Sequence, residues 1–294
     1  MSKIKCIKVT GQFIVDGIVN YNGVGKKEGN NNHKYSKTTA EGQDYTGSNA
    51  LRQSLFRDYV PRQPTQEAHK AEFPKIMGSV VGILRGSLEA ETGSKRKSPI
   101  TVLKAVTIGD KAVVHEQSTS SKPKESNLVN KKGKEASDTS IFSSDSAGKR
   151  KQSLEIALRV SDLQFFELGD SDSVVTGKNE KVFLDALAET MESLGVDSKI
   201  EKKDYIRTTQ VSKVSREGVL LNEEQQRACV LLFLELVREI EIYRRDAELV
   251  VDRKSLRITL ALENGELIED IIFIDFYEAL KAKQYGFQSF YKAA

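Results

Sequence analysis

Apolar and polar residues alternate in two segments that we predict to be β-strands. Near the N terminus, Ile7, Val9, Phe13 and Val15 fall on one face of such a strand. Residues 154–160 alternate with the same period of two. Because successive side chains of a strand point to opposite faces, this period is typical of strands packed on a core. The pattern predicts a central strand at the N terminus and a half-buried strand at residues 154–160.

Apolar residues at helical spacing predict five helices, and polar residues mark some of their ends. Asn222 and Gln225 have the spacing of a capping box, in which each side chain bonds to the other residue's backbone amide. Thr46 and Ser48 are candidate N-caps of the first helix, because their hydroxyls can accept bonds from its first amides. The predicted helices span residues 48–59, 66–76, 182–194, 222–245 and 276–283.

The remaining segments predict further strands and complete the fold class. Asn264-Gly265 is typical of a two-residue hairpin turn. Residues 78–86 contain three glycines and predict a close approach of backbone, in a strand or a turn. Residues 204–218 are polar and basic, and no element is predicted there. The elements together indicate an α+β fold in a single domain, residues 1–294, with a mainly antiparallel sheet of the ferredoxin-like or RNA-recognition-motif type. The further strands are expected over residues 100–108, 248–252, 256–262 and 266–274.

Residues 116–153 interrupt this pattern, because Ser, Lys, Asp and Asn dominate and large apolar residues are few. Such a segment cannot build a buried core of its own. It is either a disordered linker or a long excursion from the sheet that a ligand or partner orders. Since strands flank it on both sides, we favour a protruding, hairpin-like insertion within the domain.

The charge of the chain is divided unevenly between its halves. Residues 1–150 hold 25 Lys+Arg and 15 Asp+Glu, a net charge of +10, whereas residues 151–294 hold 20 and 27, a net charge of −7. A basic half is typical of a nucleic-acid surface, and an acidic half of a solvated or partner-facing one. Opposite charges would also let neighbouring copies attract each other head to tail. A chance difference between the halves remains an alternative.

The sequence predicts a cytoplasmic protein without a membrane segment. Its start has no apolar signal core, and no run of residues approaches the length of a membrane span. Cys6 and Cys229 lie in apolar segments far apart in the chain. We therefore expect buried free thiols in a reducing compartment rather than a disulfide.

Residues with catalytic chemistry are sparse. His33, His69 and His115 lack a second His or Cys at metal-ligand spacing, so we expect no metal site and no cofactor. Asp16 and Asp44 lie in or beside a basic stretch, where a carboxylate could help to cleave RNA with a metal ion or as a general base. We favour a structural aspartate in a glycine turn, and we expect no catalytic residue.

Basic residues offer the clearest candidate chemistry, because they cluster in three loops beside predicted sheet edges. The loop between the first strand and first helix is rich in Gly, Asn and Lys, which suits a phosphate chain. Aromatic residues are few near these cations, so we expect contacts to the nucleic-acid backbone rather than to particular bases. The candidates are Lys26, Lys27, Lys34, Arg52, Arg85, Lys95, Arg96 and Lys97.

Several short motifs resemble a known family. The N-terminal strand, GIVNYNG, the basic loop and SNALRQSLF are similar to the backbone subunit of type I CRISPR-Cas effector complexes, in particular its type I-F variant form. This subunit belongs to the RAMP superfamily, which is built on a modified RNA-recognition fold. VVGILRG, RKSPITV and DTSIFS occur at fitting places, so the resemblance covers about residues 4–165.

The resemblance implies an RNA-binding scaffold that is not an enzyme. Such subunits stack head to tail along CRISPR RNA beside other effector subunits, and they present its bases for pairing with target DNA. By position, Ser48, Asn49 and Arg52 would contact phosphates, with the lysines of the basic loop nearby. Residues 116–153 would form a thumb over the RNA of the neighbouring copy, with Ile141 and Phe142 as its apolar tip.

Two alternatives stay open from the sequence. A metal-dependent RNase of the same superfamily predicts magnesium-dependent cleavage that is lost on changing Asp16 or Asp44. A self-assembling structural protein without nucleic acid predicts filaments that form equally well after nuclease treatment.

Overall fold

The computed structural model describes residues 3–19, 21–22, 35–60, 66–89, 93–109, 113–121, 139–169, 174–175, 179–208, 213–244 and 247–294. The strands are β1 (Lys3–Asp16), β2 (Tyr21–Asn22), β3 (Tyr35–Ser36), β4 (Tyr45–Thr46), β5 (Ser87–Leu88), β6 (Lys95–Arg96), β7 (Ile100–Val102), β8 (Ala105–Val106), β9 (Val113–Ser121), β10 (Thr139–Ala147), β11 (Arg150–Arg159), β12 (Phe165–Glu167), β13 (Lys202–Thr208), β14 (Lys213–Leu220), β15 (Glu241–Arg244), β16 (Ala247–Val251), β17 (Arg257–Leu262), β18 (Leu267–Ile272), β19 (Gly286–Phe287) and β20 (Tyr291–Ala293). The helices are α1 (Ser48–Leu55), α2 (Gln66–Gly78), α3 (Val160–Gln164), α4 (Glu180–Ser193), α5 (Glu223–Arg238) and α6 (Phe273–Lys281), with a π-helical turn at Val81–Arg85.

Strand β1 is the centre of the main sheet, as the alternating pattern predicts. Ile7, Val9, Phe13 and Val15 are buried completely. β1 pairs antiparallel with β11 on one side, and with β17 and then β16 on the other. The path through the sheet is β15-β16-β1-β11-β7, while β18 extends it beyond β17. Every pairing in this sheet is antiparallel except that of β1 with the short β19, so the α+β prediction is confirmed.

A second sheet forms where the sequence predicts no element. Strands β13 and β14 make a hairpin between residues 202 and 220, and β12 and β20 flank it in the order β12-β14-β13-β20. The residues of this hairpin do not alternate between apolar and polar. Lys202, for example, forms ion pairs with Glu180 and Glu217 at 3.0 and 2.7 Å instead of packing on a core. Sequence periodicity detects burial, and these strands bury little on one face.

Helix ends and turns follow the expected chemistry in part. Asn222 and Gln225 form the predicted capping box, with both bonds present at 2.9–3.0 Å. The turn at Asn264-Gly265 is longer than predicted, because Leu262 and Glu266 still pair and leave a three-residue loop between them. Gly265 has a φ of 85°, which is the left-handed conformation that such a loop requires.

The glycine-rich segment at residues 78–86 is a helical turn rather than a strand, although the predicted close approach of backbone is confirmed. A Cβ on Gly78 would lie 2.6 Å from the backbone oxygen of Phe183, so this glycine lets α2 pack against α4. A Cβ on Gly82 would lie 2.1 Å from the backbone oxygen of Met77. Neither position has room for a side chain.

Strands β9 and β10 form a separate two-stranded ribbon within the segment predicted as an insertion. They pair antiparallel. Val113 is opposite Ala147 at one end and Ser121 is opposite Thr139 at the other, and no other strand of the described residues pairs with them. The predicted boundaries were 116–153, whereas β11 begins at Arg150 and belongs to the main sheet. The predicted strand at residues 100–108 is also divided, into β7 and β8.

Both cysteines are free thiols. Cys229 is buried on α5, and its burial raises the pKa of the thiol to about 12, so this group stays protonated. Cys6 is only half-buried, contrary to the expectation of full burial. Within the described part of the chain, no helix is both long enough and apolar enough to span a membrane.

Candidate nucleic-acid interface

Helix α1 buries one face and exposes the other to a concave surface. Leu51 and Leu55 are 1% and 3% exposed, whereas Asn49 and Gln53 are on the outside. The N-cap is Gly47, whose carbonyl accepts from the amides of residues 50 and 51. The prediction of a side-chain cap at Thr46 or Ser48 is therefore wrong. Thr46 is buried, and its hydroxyl donates to Gln152 at 2.8 Å instead.

Arg52 extends from α1 into a cavity of about 360 Å³, which we call the arginine cavity. One guanidinium nitrogen donates to the carbonyl oxygen of Ile100 at 3.1 Å, and this bond fixes the side chain against β7. The other donors of a guanidinium stay available for a ligand, because the group carries five N–H bonds. The cavity is lined by Arg52, Val60, Ile76, Val81, Arg85, Gly86 and Ser87.

The π-helical turn delivers Arg85 to the same cavity. Residues 81–84 are buried, and Arg85 is the last residue of the turn. The amide of Gly86 donates to the carbonyl of Val81 at 3.0 Å, five residues earlier, which is the bond of a π-turn. Gly86 has a φ of 72°, and a Cβ there would lie 2.4 Å from the backbone oxygen of Arg96. Only glycine therefore lets the chain turn at this point, directly after Arg85.

The two arginines of the cavity repel each other. The pKa of Arg52 is lowered, first by burial and second by the positive charge of Arg85. No carboxylate of the described residues forms an ion pair with either guanidinium. Two cations that share a half-buried cavity, with no counter-charge from the described part of the chain, favour an anionic ligand, which would relieve both effects. A phosphate group has this charge and can accept from both guanidiniums.

The short β5–β6 hairpin follows the cavity in the chain and carries further cations, which do not line the cavity. Ser87, which lines the cavity, pairs with Arg96, and Leu88 pairs with Lys95. Lys95 and Lys97 are exposed. Because neighbouring residues of a strand point to opposite faces, Arg96 points the other way, into the protein.

The prediction that Arg96 contacts a phosphate is wrong, because its side chain is buried inside the protein. It is 8% exposed, and its guanidinium lies 3.8 Å from the ring centre of Phe166. Burial lowers the pKa of this arginine to about 10. The guanidinium donates to four backbone carbonyls and so joins the π-helical turn to α3 and β12. These acceptors are the oxygens of Ile83, Asp162, Leu163 and Phe165, at 2.7–3.4 Å.

Asp44 is held in an ion pair inside the chain. It is 3% exposed and accepts from Arg150, Thr107 and Gln152. Its carboxylate is therefore occupied, as expected for a structural aspartate, whereas Asp16 is exposed at the end of β1. Among the described residues, no group of three or more His, Cys, Asp or Glu side chains is arranged to hold a metal ion.

The other predicted contacts are only partly described. Lys26, Lys27 and Lys34 lie outside the described residues. Ile141 and Phe142 are within β10, opposite Thr119 and Ser118 of β9, so the structure places them in the paired part of the ribbon rather than at its tip.

The structure thus brings together two of the predicted residues and adds one that the sequence did not indicate. Arg52 and Arg85 line one cavity, with Lys95 and Lys97 on the adjoining hairpin. Ser48 begins α1 and is half-buried, and Asn49 follows it on the exposed face. Ser87 was missed, and its only signal in the sequence was its place directly after the turn glycine Gly86.

Comparisons with known proteins give a family and two similar folds. Residues 16–261 match the family described as "Type I-Fv CRISPR-associated protein Cas7fv-like". Two solved structures are similar over 87% of this chain at 10% identity. They are a "CRISPR RNA-guided surveillance complex" (68% of that chain, TM-score 0.35) and a "CRISPR RNA-guided surveillance complex, pre-nicking" (75%, TM-score 0.38). No curated protein matches the chain in sequence.

The family match spans most of the chain, and it includes β1's end, α1, the π-helical turn and the ribbon. It confirms the resemblance that the short motifs near the N terminus indicate. The chain belongs to the Cas7fv-like family of type I-Fv CRISPR-associated proteins.

Proposed function

We propose that this chain is the subunit that holds the backbone of CRISPR RNA in an effector complex, together with other subunits. The observation that carries the proposal is the arginine cavity, where Arg52 and Arg85 face a common space without a carboxylate partner among the described residues. A phosphate is the ligand that this cavity fits. Family membership supports CRISPR RNA as the polyanion.

The role we propose is structural rather than catalytic. Contacts to phosphate carry no sequence information, so one subunit can hold any guide sequence. Specificity then comes from base pairing of the guide with target DNA, as in RNA-guided recognition generally. The modified RNA-recognition fold and the cytoplasmic location that the sequence indicates belong to the same proposal.

Replacing Arg52 or Arg85 with alanine should weaken binding to single-stranded RNA about tenfold at low salt. The loss should be the same for unrelated RNA sequences. Each variant should also flatten the dependence of log K on log salt by about 0.7, because one phosphate contact releases about that many counterions from a single strand. Fluorescence anisotropy over a salt series measures both quantities.

Lys281→Ala is the matched control, because Lys281 is an exposed cation on α6 that does not line the arginine cavity. Its affinity and salt slope should equal those of the unmodified protein. A loss confined to some RNA sequences would contradict a phosphate contact. Equal losses of RNA affinity in all three variants would mean that the RNA responds to the overall positive charge of the protein and not to the arginine cavity.

The ribbon serves as a thumb that covers the RNA of the neighbouring copy. The support for this role is the position of the ribbon at the end of β1, where the predicted basic loop also begins. The amide of Gly17, just after β1, donates to the carbonyl of Ala147 at the base of the ribbon, at 3.0 Å. Arg150 bonds to the carbonyls of both Gly17 and Gly148, at 2.8 and 3.1 Å. The ribbon and the predicted basic loop therefore start side by side, so both can contact the same strand of RNA.

Copies of the chain assemble head to tail, and exposed residues on opposite sides of the main sheet support this arrangement. At one edge, Leu267 of β18 is 60% exposed beside the carboxylates of Glu269 and Asp270. At the opposite edge, Leu103 follows β7 and is 47% exposed, beside the exposed Lys104. An acidic apolar edge and a basic apolar edge on one molecule complement each other between copies, and such a heterologous contact can repeat along a filament.

The mass of the complex should therefore increase in equal steps as the RNA is lengthened. Size-exclusion chromatography with light scattering measures this for RNAs of increasing length. RNA supplies a continuous scaffold, so nuclease treatment of the free ends should shorten the assembly. Filaments of unchanged length after complete RNA digestion would favour the structural protein without nucleic acid. RNA cut in the presence of magnesium would favour the RNase.

A further inference from the structure

A second cavity adjoins the arginine cavity on the other side of α1. Its volume is about 530 Å³, and it shares Val60 and Arg85 with the arginine cavity. Strand β15, an edge strand of the main sheet, forms its far wall. We call it the tyrosine cavity, because Tyr243 is the only aromatic residue among the described residues that line it and is 58% exposed. The lining is completed by Ala50, Gln53, Ser54, Arg57, Glu241, Ile242 and Arg244.

Hydrogen bonds hold the wall of this cavity in place. The hydroxyl of Ser54 donates to the carbonyl of Glu241 at 2.5 Å and so joins α1 to β15. The Glu241 carboxylate pairs with Arg57 at 2.9 Å through one oxygen and accepts from the Tyr243 hydroxyl at 3.2 Å through the other. The negative charge of Glu241 raises the pKa of Tyr243, so the phenol stays neutral. The tyrosine ring is therefore anchored at its hydroxyl end, with its faces accessible.

The two cavities differ in the groups that line them, and this difference indicates different ligands. In the arginine cavity, no described carboxylate offsets Arg52 and Arg85. In the tyrosine cavity, Glu241 pairs with Arg57, Arg85 and Arg244 remain as cations, and the lining adds an aromatic ring and the exposed amide of Gln53. An aromatic face and a side-chain amide favour a neutral, planar ligand that forms hydrogen bonds.

We propose that the tyrosine cavity binds one nucleobase of the RNA, which stacks on Tyr243 next to a phosphate held by Arg52 and Arg85. This inference rests on the proposed function and adds a base contact to it. Gln53 has both donors and an acceptor, so it can bond to the edge of any base. Arg85 and Arg244 face the phosphates on either side. Stacking accepts every base, so the site holds one nucleotide in place without selecting the sequence.

The test compares an oligoadenylate of about eight nucleotides with an abasic ribose-phosphate oligomer of equal length, a size within the range that single-strand binding modules cover. Three variants are measured with both probes: Tyr243→Ala, Tyr243→Phe and Arg52→Ala. Tyr243→Ala should weaken oligoadenylate binding about tenfold, because it removes the stacking surface, and should leave abasic binding unchanged. Tyr243→Phe keeps the ring and should remain within about twofold of the unmodified protein for both probes. Arg52→Ala should weaken both.

The outcomes separate this inference from the proposed function. If Tyr243→Ala leaves oligoadenylate binding unchanged, or weakens both probes equally, the base site is wrong, while a loss of both probes with Arg52→Ala still supports backbone binding. If Tyr243→Phe loses as much as Tyr243→Ala, the hydroxyl rather than the ring matters and stacking is wrong. If Arg52→Ala weakens neither probe, both proposals fail. Because Tyr243 is exposed, the variants are expected to fold, and a thermal unfolding curve of each checks this.

Discussion

Replacing Arg150 with methionine is expected to lower the free energy of unfolding by about 3–5 kcal/mol, because the change leaves the Asp44 carboxylate buried without its cation. Arg150 is 9% exposed and Asp44 is 3% exposed. The Nε atom of Arg150 lies 3.2 and 3.0 Å from the two carboxylate oxygens, and a second nitrogen bonds to the same group. Arg150 also donates to Gly17 and Gly148, so its loss leaves two further carbonyls without a donor.

Urea denaturation followed by circular dichroism measures this loss. Lys151→Met is the matched control, because Lys151 is the next residue of β11 and is exposed. It should change the free energy of unfolding by less than about 0.5 kcal/mol. The double variant Asp44→Ala/Arg150→Met should lose less than Arg150→Met alone, since no isolated charge remains buried. A single variant that is as stable as the Lys151 control would show that Asp44 reaches water or another cation.

The second large effect is expected at Arg96, where methionine should destabilise the protein by about 2–4 kcal/mol. The guanidinium is the shared donor for four backbone carbonyls, three of them from α3 and β12 and one from the π-helical turn. Methionine fills similar space but donates no hydrogen bond. Arg96→Lys should also destabilise, because an ammonium group cannot reproduce the planar fork of the guanidinium.

Lys97→Met provides the comparison for Arg96→Met, because Lys97 is exposed on the other face of the same segment. The two variants should show opposite effects. Arg96→Met should lose stability and, at a temperature where it stays folded, bind RNA normally. Lys97→Met should keep its stability and bind RNA more weakly. If Arg96→Met keeps full stability but binds RNA poorly, the original prediction of a phosphate contact at Arg96 is right.

These two arginines show where reasoning from the sequence reaches its limit. Arg96 stands in the run Lys95-Arg96-Lys97, and three adjacent cations suggest one basic surface. A strand sends alternate residues to opposite faces, but the two-residue β6 is too short to give a period in the sequence. Arg150 and Asp44 are 106 residues apart, and no local pattern marks them as partners.

The sequence predicted individual residues of the candidate site, but not how they are arranged in space. Arg52 was identified from its place near the start of a helix, and Arg85 from its place in a glycine-rich turn. That the two line one cavity depends on the π-helical turn, whose extra residue per turn is not visible in composition or spacing. Tyr243 was not indicated at all, because the apolar pattern predicted one helix over residues 222–245. That helix ends at Arg238, and Tyr243 lies in β15.

The sequence by itself determined the elements whose signal is local. The alternation of apolar and polar residues predicted β1 and β11, and the capping box predicted the start of α5. Short motifs near the N terminus indicated the family. Charge counts also separated a basic half from an acidic one. Each of these rests on residues close together in the chain, where spacing alone sets which side chains share a face.

Only the tertiary structure decided which cations face a ligand and which hold the fold together. Arg52 and Arg85 meet across a cavity, Arg96 is enclosed by four carbonyls, and Arg150 is paired with Asp44. The four residues are chemically identical, so composition cannot separate them. What differs is burial and the nearest acceptor, and both are set by contacts between segments far apart in sequence.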